Sequence, residues 1–369
     1  MPEQNEALLE ASIAAGQPLI EWTLAGRSFD GHALGGVSFL KCQMDNATFV
    51  GAALEGVTFV ECTLSGADFS GARLKSVNFV ECDCSGARFN GARFDGGAMV
   101  KTKAPGLVLS GAEIVRLSFV ESNLGGAKFV GASVEQMACL ECDLNETNAA
   151  GVQFNNSALV KADLRAASLD GAAFVRCALP SARLDGVELP GLRLIQSTLS
   201  KSDLTDADLR GADLSYSQFA DALINHADLT DASAKTASFS GATLDGTNFQ
   251  RANLHGASFA GARLAKARLG GARLAEGCFN GADLTRADLR EAECDYPAFR
   301  HADLKGADFT GACVAGADFH EANPELTVGL KTRANCRGTD RQRSISERFD
   351  PAAPKWNDIP AILKPGNEQ

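Results

Sequence analysis

The chemically most reactive side chains of this sequence are its eleven cysteines. Those at positions 42, 62, 82 and 142 are spaced by multiples of 20 residues, and Cys139-x-x-Cys142 has the spacing of half a zinc or redox motif. At the same 20-residue steps, positions 102 and 122 hold Thr102 and Ser122, which are small residues that commonly fill space in a protein core. Because a free cysteine packs like a small hydrophobe, we predict core thiols without metal or redox chemistry. The exception is Cys336, which we expect to be the reactive thiol.

Histidine offers no better candidate for catalysis. The five histidines lie in different units, and no Ser-His-Asp, His-Glu or phosphate-loop spacing accompanies them. We therefore predict a protein that is not an enzyme and that binds no cofactor or metal. The histidines are His32, His226, His255, His301 and His320, the last four at outward or corner positions of the repeat described below.

Charged residues are the candidates for binding. Residues 203–231 have a charge balance of −6, and residues 246–275 have a balance of +5. Opposite charges on neighbouring belts steer protein partners, although random drift on a tolerant surface is an open alternative. The candidate partner-binding residues are Asp203, Asp206, Asp208, Asp213, Asp221 and Asp228 in the acidic belt, and Arg251, Arg263, Lys266, Arg268 and Arg273 in the basic belt.

The C-terminal segment supplies a second candidate contact. It begins at Pro324, is basic in its first half, and places Trp356, Ile359 and Ile362 close together in its second half. Two interpretations remain open: a docking peptide or dimer contact, and a strap that folds back over the preceding chain.

A strict five-residue period must position those of these residues that precede Pro324. Twenty of the 21 phenylalanines lie in the repeat at positions whose numbers end in 4 or 9, and this phase does not slip between Leu24 and Phe319. Neither the 3.6-residue helix nor the two-residue strand alternation keeps one face through a period of five. The chain is therefore predicted to turn a corner every five residues. The central residue of each unit, and the residue two places before it, would face inward.

A second period of 20 residues lies over the first. Phe39-Leu-Lys-Cys, Phe59-Val-Glu-Cys and Phe79-Val-Glu-Cys are the same side of successive coils. Four corners per 20 residues predict a square cross-section, with about 15 coils in a rod about 70 Å long. We predict a capping helix within residues 1–20, a solenoid over 21–323 and a non-repeat tail over 324–369. Leu8, Leu9 and Ile13 would form the apolar stripe of the helix.

The units resemble those of pentapeptide-repeat proteins. Ala-Asp-Leu-Arg-Gly (207–211), Ala-Asp-Leu-Thr-Asp (227–231) and Ala-Asp-Phe-Thr-Gly (307–311) carry the resemblance, which covers about 300 of the 369 residues. It implies an all-β fold, the right-handed quadrilateral β-helix. Because one architecture hosts many roles, it says little about function.

Composition bounds the cellular context. An odd number of cysteines in repeat phase, no signal-like start and no run of 18 apolar residues predict a bacterial cytoplasmic protein without a membrane partner. Export that needs no signal peptide is left open.

The main functional hypothesis is a non-enzymatic scaffold or adaptor that binds a protein through the outer faces of a rigid rod, with a homodimer as a further option. The opening Ile13-Ala-Ala-Gly-Gln-Pro-Leu is similar to pentapeptide-repeat proteins associated with type VI secretion, which implies that context. Similarity to gyrase-protecting members implies a partial DNA mimic as an alternative. Duplex DNA carries one charge per about 1.7 Å, so a full mimic would need about forty negative charges. The repeat has a net charge of only −10. A purely structural solenoid is the third option, and no direct binding of nucleic acid is expected.

Overall fold

The repeat folds because each five-residue unit buries two side chains in the core and makes one turn of the backbone. In a computed structural model, which describes residues 6–330, a helix, α1 (Glu6–Ala14), leads into a parallel β-solenoid. Its short strands are β1 (Leu19–Ile20), β2 (Ala33–Gly35), β3 (Ser38–Leu40), β4 (Ala53–Glu55), β5 (Thr58–Val60), β6 (Arg73–Val80), β7 (Arg93–Val100), β8 (Glu113–Val115), β9 (Ser118–Val120), β10 (Ser133–Glu135), β11 (Ala138–Leu140), β12 (Gln153–Asn155), β13 (Ala158–Val160), β14 (Ala173–Val175) and β15 (Arg193–Ile195).

Every coil pairs with the next at a register of 20 residues. The first pair is Leu19 with Phe39, and the last bridge joins Asp308 to Val328, a span of about fifteen coils. Named strands occupy only about the first nine coils, and single bridges continue the ladder beyond them. The difference follows from sequence, because β-branched residues flank many centres early in the chain, whereas Asp, Asn and Ser, which favour turns, replace them later. The predicted β-solenoid is thus confirmed.

The core is a filled column of aromatic and aliphatic side chains. Phe69 stacks on Phe49 at 4.5 Å between ring centroids and on Phe89 at 4.7 Å. The rings of Phe59 and Phe79 meet it edge to face, at 6.2 and 5.9 Å. All five rings are fully buried, as the five-residue period predicts.

Corners fall at the two residues after each centre. From residue 21 to residue 326, every position whose number ends in 1 or 6 except Ala166 has positive φ whether or not it is glycine, as at Glu61 (51°) and Lys161 (57°). The predicted corner in every five residues is therefore confirmed. Non-glycine residues accept the left-handed conformation here because the hydrogen-bonded coils on both sides hold them in it.

Helix α1 covers the first coil. Leu9 is buried in the same cluster as Leu19 and Leu24, and Ile13 packs against that cluster. Leu8, which we expected in the apolar stripe, is instead 37% exposed because it lies on the outer side of the helix. The helix ends at Ala14 and is capped at Gly16 (φ 63°), after which Gln17 N–H donates to the Ser12 carbonyl at 2.9 Å in a Schellman-type cap.

The C-terminal end of the ladder differs slightly from expectation. The bridge from Asp308 to Val328 and the packing of Leu330 against the core extend the coil past Pro324. A central N–H donates to the coil that follows, as Leu304 N–H does to the Asn323 carbonyl at 2.9 Å. Proline is tolerated at position 324 because the described ladder has no further coil to accept such a bond from it. Trp356, Ile359, Ile362 and Cys336 lie outside the described residues.

Candidate interaction surfaces

The buried cysteines behave as small core residues. Cys62 Sγ donates to the Phe39 carbonyl at 3.3 Å, and in the same column Thr102 Oγ1 donates to the Phe79 carbonyl at 3.0 Å. Thiol and hydroxyl thus make one equivalent contact, which explains why they interchange. Cys139 and Cys142 are buried in the core cluster, so their motif-like spacing reflects the two inward positions of one unit. The packing interpretation of these thiols is confirmed, and residues 6–330 contain no group of His, Cys, Asp and Glu that could hold a metal ion.

One thiol within the described chain is open to reagents, contrary to our expectation that only Cys336 would react. Cys313 is exposed because it occupies the outward position before a centre. Its Sγ donates to Asp295 Oδ1 at 3.0 Å, and this hydrogen bond to a carboxylate raises the pKa of the Cys313 thiol. By contrast, burial raises the pKa of the Cys294 thiol to about 12.

Removing the carboxylate beside Cys313 is expected to speed its alkylation. In an Asp295→Asn variant the thiol pKa falls, so the thiolate fraction at a given pH near 8 rises. The alkylation rate should then increase about threefold per unit of pKa, because nucleophilicity falls as basicity falls. Iodoacetamide labelling in a Cys336→Ser background, followed by mass spectrometry across pH, measures this rate. Asp283→Asn is the matched control, and equal rates in both variants would contradict the assigned cause.

The histidines do not converge on one site. His301 lies 5.8 Å from His320 between ring centroids, and its Nδ1 is 3.4 Å from Glu321 Oε2. His320 is only 1% exposed, which corrects the outward position inferred for it. It lies in one of the last coils that the structure describes.

The two charge belts share three columns, where a column is a set of residues 20 places apart that lie above one another in successive coils. Bridges connect Asp203 to Arg263, Asp208 to Arg268 and Asp213 to Arg273, each through two intervening coils. The acidic and basic residues are therefore separated by about 14 Å along the same faces. Asp206, Asp221 and Lys266 are exposed at corners, and Arg251, the first basic residue of the basic belt, is exposed at another corner.

Many charged side chains of the two belts form hydrogen bonds or ion pairs within the chain. Asp203, Asp208, Asp213 and Asp228 each accept the backbone N–H two residues later, which fixes the following turn. Other contacts involve the basic residues: Arg251 with Asp231 at 2.8 Å, Arg263 with Asp245 at 2.7 Å, Arg273 with Glu293 at 3.2 Å, and Arg268 with the amide oxygen of Gln250 at 2.9 Å. Many belt residues therefore have a structural role in addition to any role in binding.

A third surface escaped the sequence analysis. The residue after the centre is aliphatic on one side of eight successive coils, and these side chains project outward in register. Ile20 and Leu140 are 54% and 40% exposed, and the six others are half-buried. We call this column the aliphatic stripe: Ile20, Leu40, Val60, Val80, Val100, Val120, Leu140 and Val160. Aligning the sequence in rows of 20 would have revealed it.

The surroundings of the aliphatic stripe are uncharged on one side and charged on the other. The neighbouring outward column on the same strands holds only small uncharged residues from Ser38 to Ala158. The corner beyond the stripe carries charges of both signs, including ion pairs between Lys41 and Glu61 (3.8 Å) and between Lys161 and Glu141 (2.6 Å). We call this corner column the corner ladder: Glu21, Lys41, Glu61, Glu81, Lys101, Glu121, Glu141 and Lys161.

Comparison with known proteins adds the family. A sequence profile for a pentapeptide repeat region matches residues 21–89 and 172–249, and a profile for eight copies of the pentapeptide repeat matches 235–271, 267–296 and 287–323. Together they cover more than half of the chain. A search of curated proteins finds no match.

Several solved structures are similar. A trypsin-treated form of QnrB1, a plasmid-mediated fluoroquinolone resistance protein, is 25% identical over 54% of this chain and 90% of its own, with a TM-score of 0.40. HetL, a pentapeptide repeat protein of a Nostoc cyanobacterium involved in regulating heterocyst differentiation, is 23% identical over 88% of this chain and 97% of its own, with a TM-score of 0.23. A thylakoid-lumen pentapeptide repeat protein of Arabidopsis thaliana is 30% identical over 26% and 63%, with a TM-score of 0.19.

Residues 6–330 include no helix long and apolar enough to cross a membrane. The profile matches agree with the buried residue at every fifth position and with the corner at every fifth peptide. The chain therefore belongs to the pentapeptide-repeat family.

Proposed function

We propose that this protein is a non-enzymatic scaffold that binds a protein partner through the outer faces of its solenoid. The observation that carries the proposal is the placement of both charge belts on the same three columns. Asp203, Asp208 and Asp213 precede Arg263, Arg268 and Arg273 by the same three coils. A rigid surface with this repeated charge separation favours a partner of complementary charge pattern, by steering its approach and setting its register.

The interior supports the same proposal. Large side chains from Phe29 to Phe309 fill the centre of the coils and are almost completely buried. Ligand-binding sites in proteins are usually concave and lined by a few convergent polar groups. The side chains that remain free to make contacts are those of the outer columns and corners.

Neutralising the basic belt is expected to release the partner. The test variant replaces Arg263, Lys266, Arg268 and Arg273 by serine, and the control replaces Arg88, Lys103, Arg116 and Lys128 in the N-terminal half. Intact and control chains should retain the same protein in a pull-down, and the belt variant should retain at least about fivefold less, since two or more charged contacts are lost. Retention should also fall with added salt.

Equal retention by the intact chain and both variants would place the contact elsewhere on the solenoid. Retention by none of the three would contradict the scaffold itself. A version ending at Asn323 tests whether the segment with Trp356, Ile359 and Ile362 adds affinity, as the docking-peptide interpretation requires.

The association with type VI secretion remains part of this proposal and rests on residues 13–19. In the structure this segment forms the C-terminal cap of α1 and the first buried residue of the solenoid, since Gly16 caps the helix and Leu19 enters the core. Any repeat protein with the same kind of helical cap could select these residues. The identity of genes beside the coding sequence therefore tests this context better than the segment itself.

The DNA-mimic alternative makes a different prediction. It requires a continuous negative surface, and the basic belt interrupts that surface with Arg263, Arg268 and Arg273. We therefore expect micromolar protein neither to inhibit gyrase in a supercoiling assay nor to relieve its poisoning by quinolones. Either effect would favour the mimic over the scaffold.

A further inference from the structure

The aliphatic stripe lies on a flat part of the solenoid that lacks charge. This face is formed by β3, β5, the second halves of β6 and β7, β9, β11 and β13. Their outward positions carry serine, threonine, asparagine, alanine, valine and leucine, and none carries a charge. The adjacent face of the same coils carries Arg73, Lys75, Arg93 and Asp95. Contiguous apolar surface rimmed by charge is typical of an interaction site, whereas isolated exposed aliphatic residues are ordinary.

We propose that the aliphatic stripe is the contact face of an antiparallel homodimer. Two copies would pack face to face, related by a two-fold axis that lies in the contact plane, perpendicular to the solenoid, between the coils of Val80 and Val100. This operation places each column opposite the same column of the other copy with the order of coils reversed. Such a contact is isologous and closes on itself.

The corner ladder selects this arrangement. About the proposed axis, Glu21 of one copy faces Lys161 of the other, Lys41 faces Glu141, and Glu81 faces Lys101. One pair, Glu61 with Glu121, is of like charge. A shift of one coil toward the C-terminus pairs Lys41 with Lys161 and Glu61 with Glu141, so that every rung is repulsive.

The parallel arrangement is less complementary. A two-fold axis along the solenoid would place the corner ladder against the opposite corner of the face, a column that runs from Gly36 through Gly56, Ser76, Gly96, Arg116 and Gln136 to Asn156. Arg116 is the one charged residue of that column, so the column offers no charge to most of the ladder. Complementary potentials fix the register of an interface more than they add affinity, so the ladder would determine orientation while the stripe supplies the apolar contact.

The size of the face suits a reversible dimer. Seven steps of about 4.8 Å make the stripe about 34 Å long, and three strand residues span about 10 Å. With the corner ladder, each copy contributes on the order of 500 Å², which gives a total near the lower limit for specific interfaces. We therefore expect dissociation in the micromolar range.

Sedimentation velocity of the full chain, from roughly 1 to 200 μM, should show a monomer–dimer equilibrium. Val100→Arg should raise the dissociation constant about a hundredfold, because a charge on each copy is buried against an apolar surface near the axis. Val175→Arg is the matched control: Val175 is an outward, half-buried valine on β14, outside the stripe. Thermal melting by circular dichroism checks that both variants fold.

Charge reversal tests the register. Lys101→Glu should weaken the dimer, and the double variant Glu81→Lys/Lys101→Glu should restore it, because the two residues exchange roles across the axis. Disulfide formation gives an independent readout. Chains carrying Val60→Cys and Val120→Cys should cross-link when mixed, and neither variant should cross-link with itself through the new thiol.

Three results would overturn the proposal: a monomer throughout the concentration range, a dimer indifferent to Val100→Arg, and efficient self-cross-linking of the Val60→Cys chain. If a version ending at Leu330 dimerises more tightly than the full chain, the C-terminal segment competes for the stripe, and the dimer surface is still confirmed. If the isolated chain is monomeric but another protein protects Val100→Cys from alkylation, the stripe serves a different partner and the homodimer is wrong.

Discussion

Phe69→Ala is expected to lower the free energy of unfolding by about 4 kcal/mol, in the range of large-to-small substitutions in well-packed cores. Phe69 lies between the stacked rings of Phe49 and Phe89 and meets the edges of Phe59 and Phe79. Removing it opens a cavity that the hydrogen-bonded coils on both sides cannot close. It also breaks aromatic contacts that contribute beyond their buried area.

Two controls separate packing from side-chain chemistry and from position. Phe69→Leu should cost about 1.5 kcal/mol or less, since leucine occupies many equivalent centres and keeps most of the volume. Phe319→Ala should cost less than Phe69→Ala, because Phe319 is half-buried in a terminal coil. Urea unfolding followed by far-ultraviolet circular dichroism measures all three. Equal destabilisation by Phe69→Leu and Phe69→Ala would mean that the ring stack, not the filled volume, carries the stability.

The second large effect is expected at Gly97, where Gly97→Ala should destabilise the protein by about 3 kcal/mol or more. A Cβ at this position would lie 2.1 Å from the Val77 carbonyl oxygen and 2.9 Å from the Val77 nitrogen, and φ is 105°. Both contacts are with backbone of the preceding coil, so no rotamer change can relieve them. The β6–β7 pair, the longest in the solenoid, would have to separate.

Gly96→Ala provides the matched control for this substitution. Gly96 also has positive φ (75°), but its nearest atom would be Ser76 Oγ at 3.8 Å. Gly96→Ala should therefore lower the free energy of unfolding by only about 1–2 kcal/mol, the cost of holding alanine in the left-handed conformation. The same urea experiment compares the two variants. If Gly97→Ala unfolds at the same urea concentration as Gly96→Ala, the close approach of the two coils is not as tight as described.

The local pattern predicted the backbone well because each unit is almost independent of the rest. Once a large residue recurs every fifth place, as Phe59, Phe69 and Phe79 do, only a corner after each centre keeps all of them inside. The period then also fixes which residues are adjacent in space, since each residue pairs with the residue 20 places later. For the same reason the buried cysteines could be recognised as fillers before their contacts were known.

The surfaces were harder to predict, because an outward residue acquires meaning only from its neighbours in adjacent coils. The charge belts were visible as runs of sequence, but the ion pairs of Arg251, Arg263 and Arg273 with acidic residues about one coil away were not. Leu8 was misplaced because it lies on the outer side of α1, and His320 because an outward position of the repeat is buried in one of the last described coils. The aliphatic stripe was missed because its members are 20 residues apart and each, alone, is an unremarkable valine or leucine.

By itself, the sequence determined the five-residue unit, the square coil and the filled core. Burial of one large side chain per unit is a local requirement, and the five-residue period shows directly which side chains are buried. Only the tertiary structure decided which outward side chains share a face, which charges neutralise one another, and where apolar surface remains exposed. The physical reason is distance: electrostatic and apolar contacts act over a few ångströms, and stacking the coils brings together residues that the chain separates by twenty places.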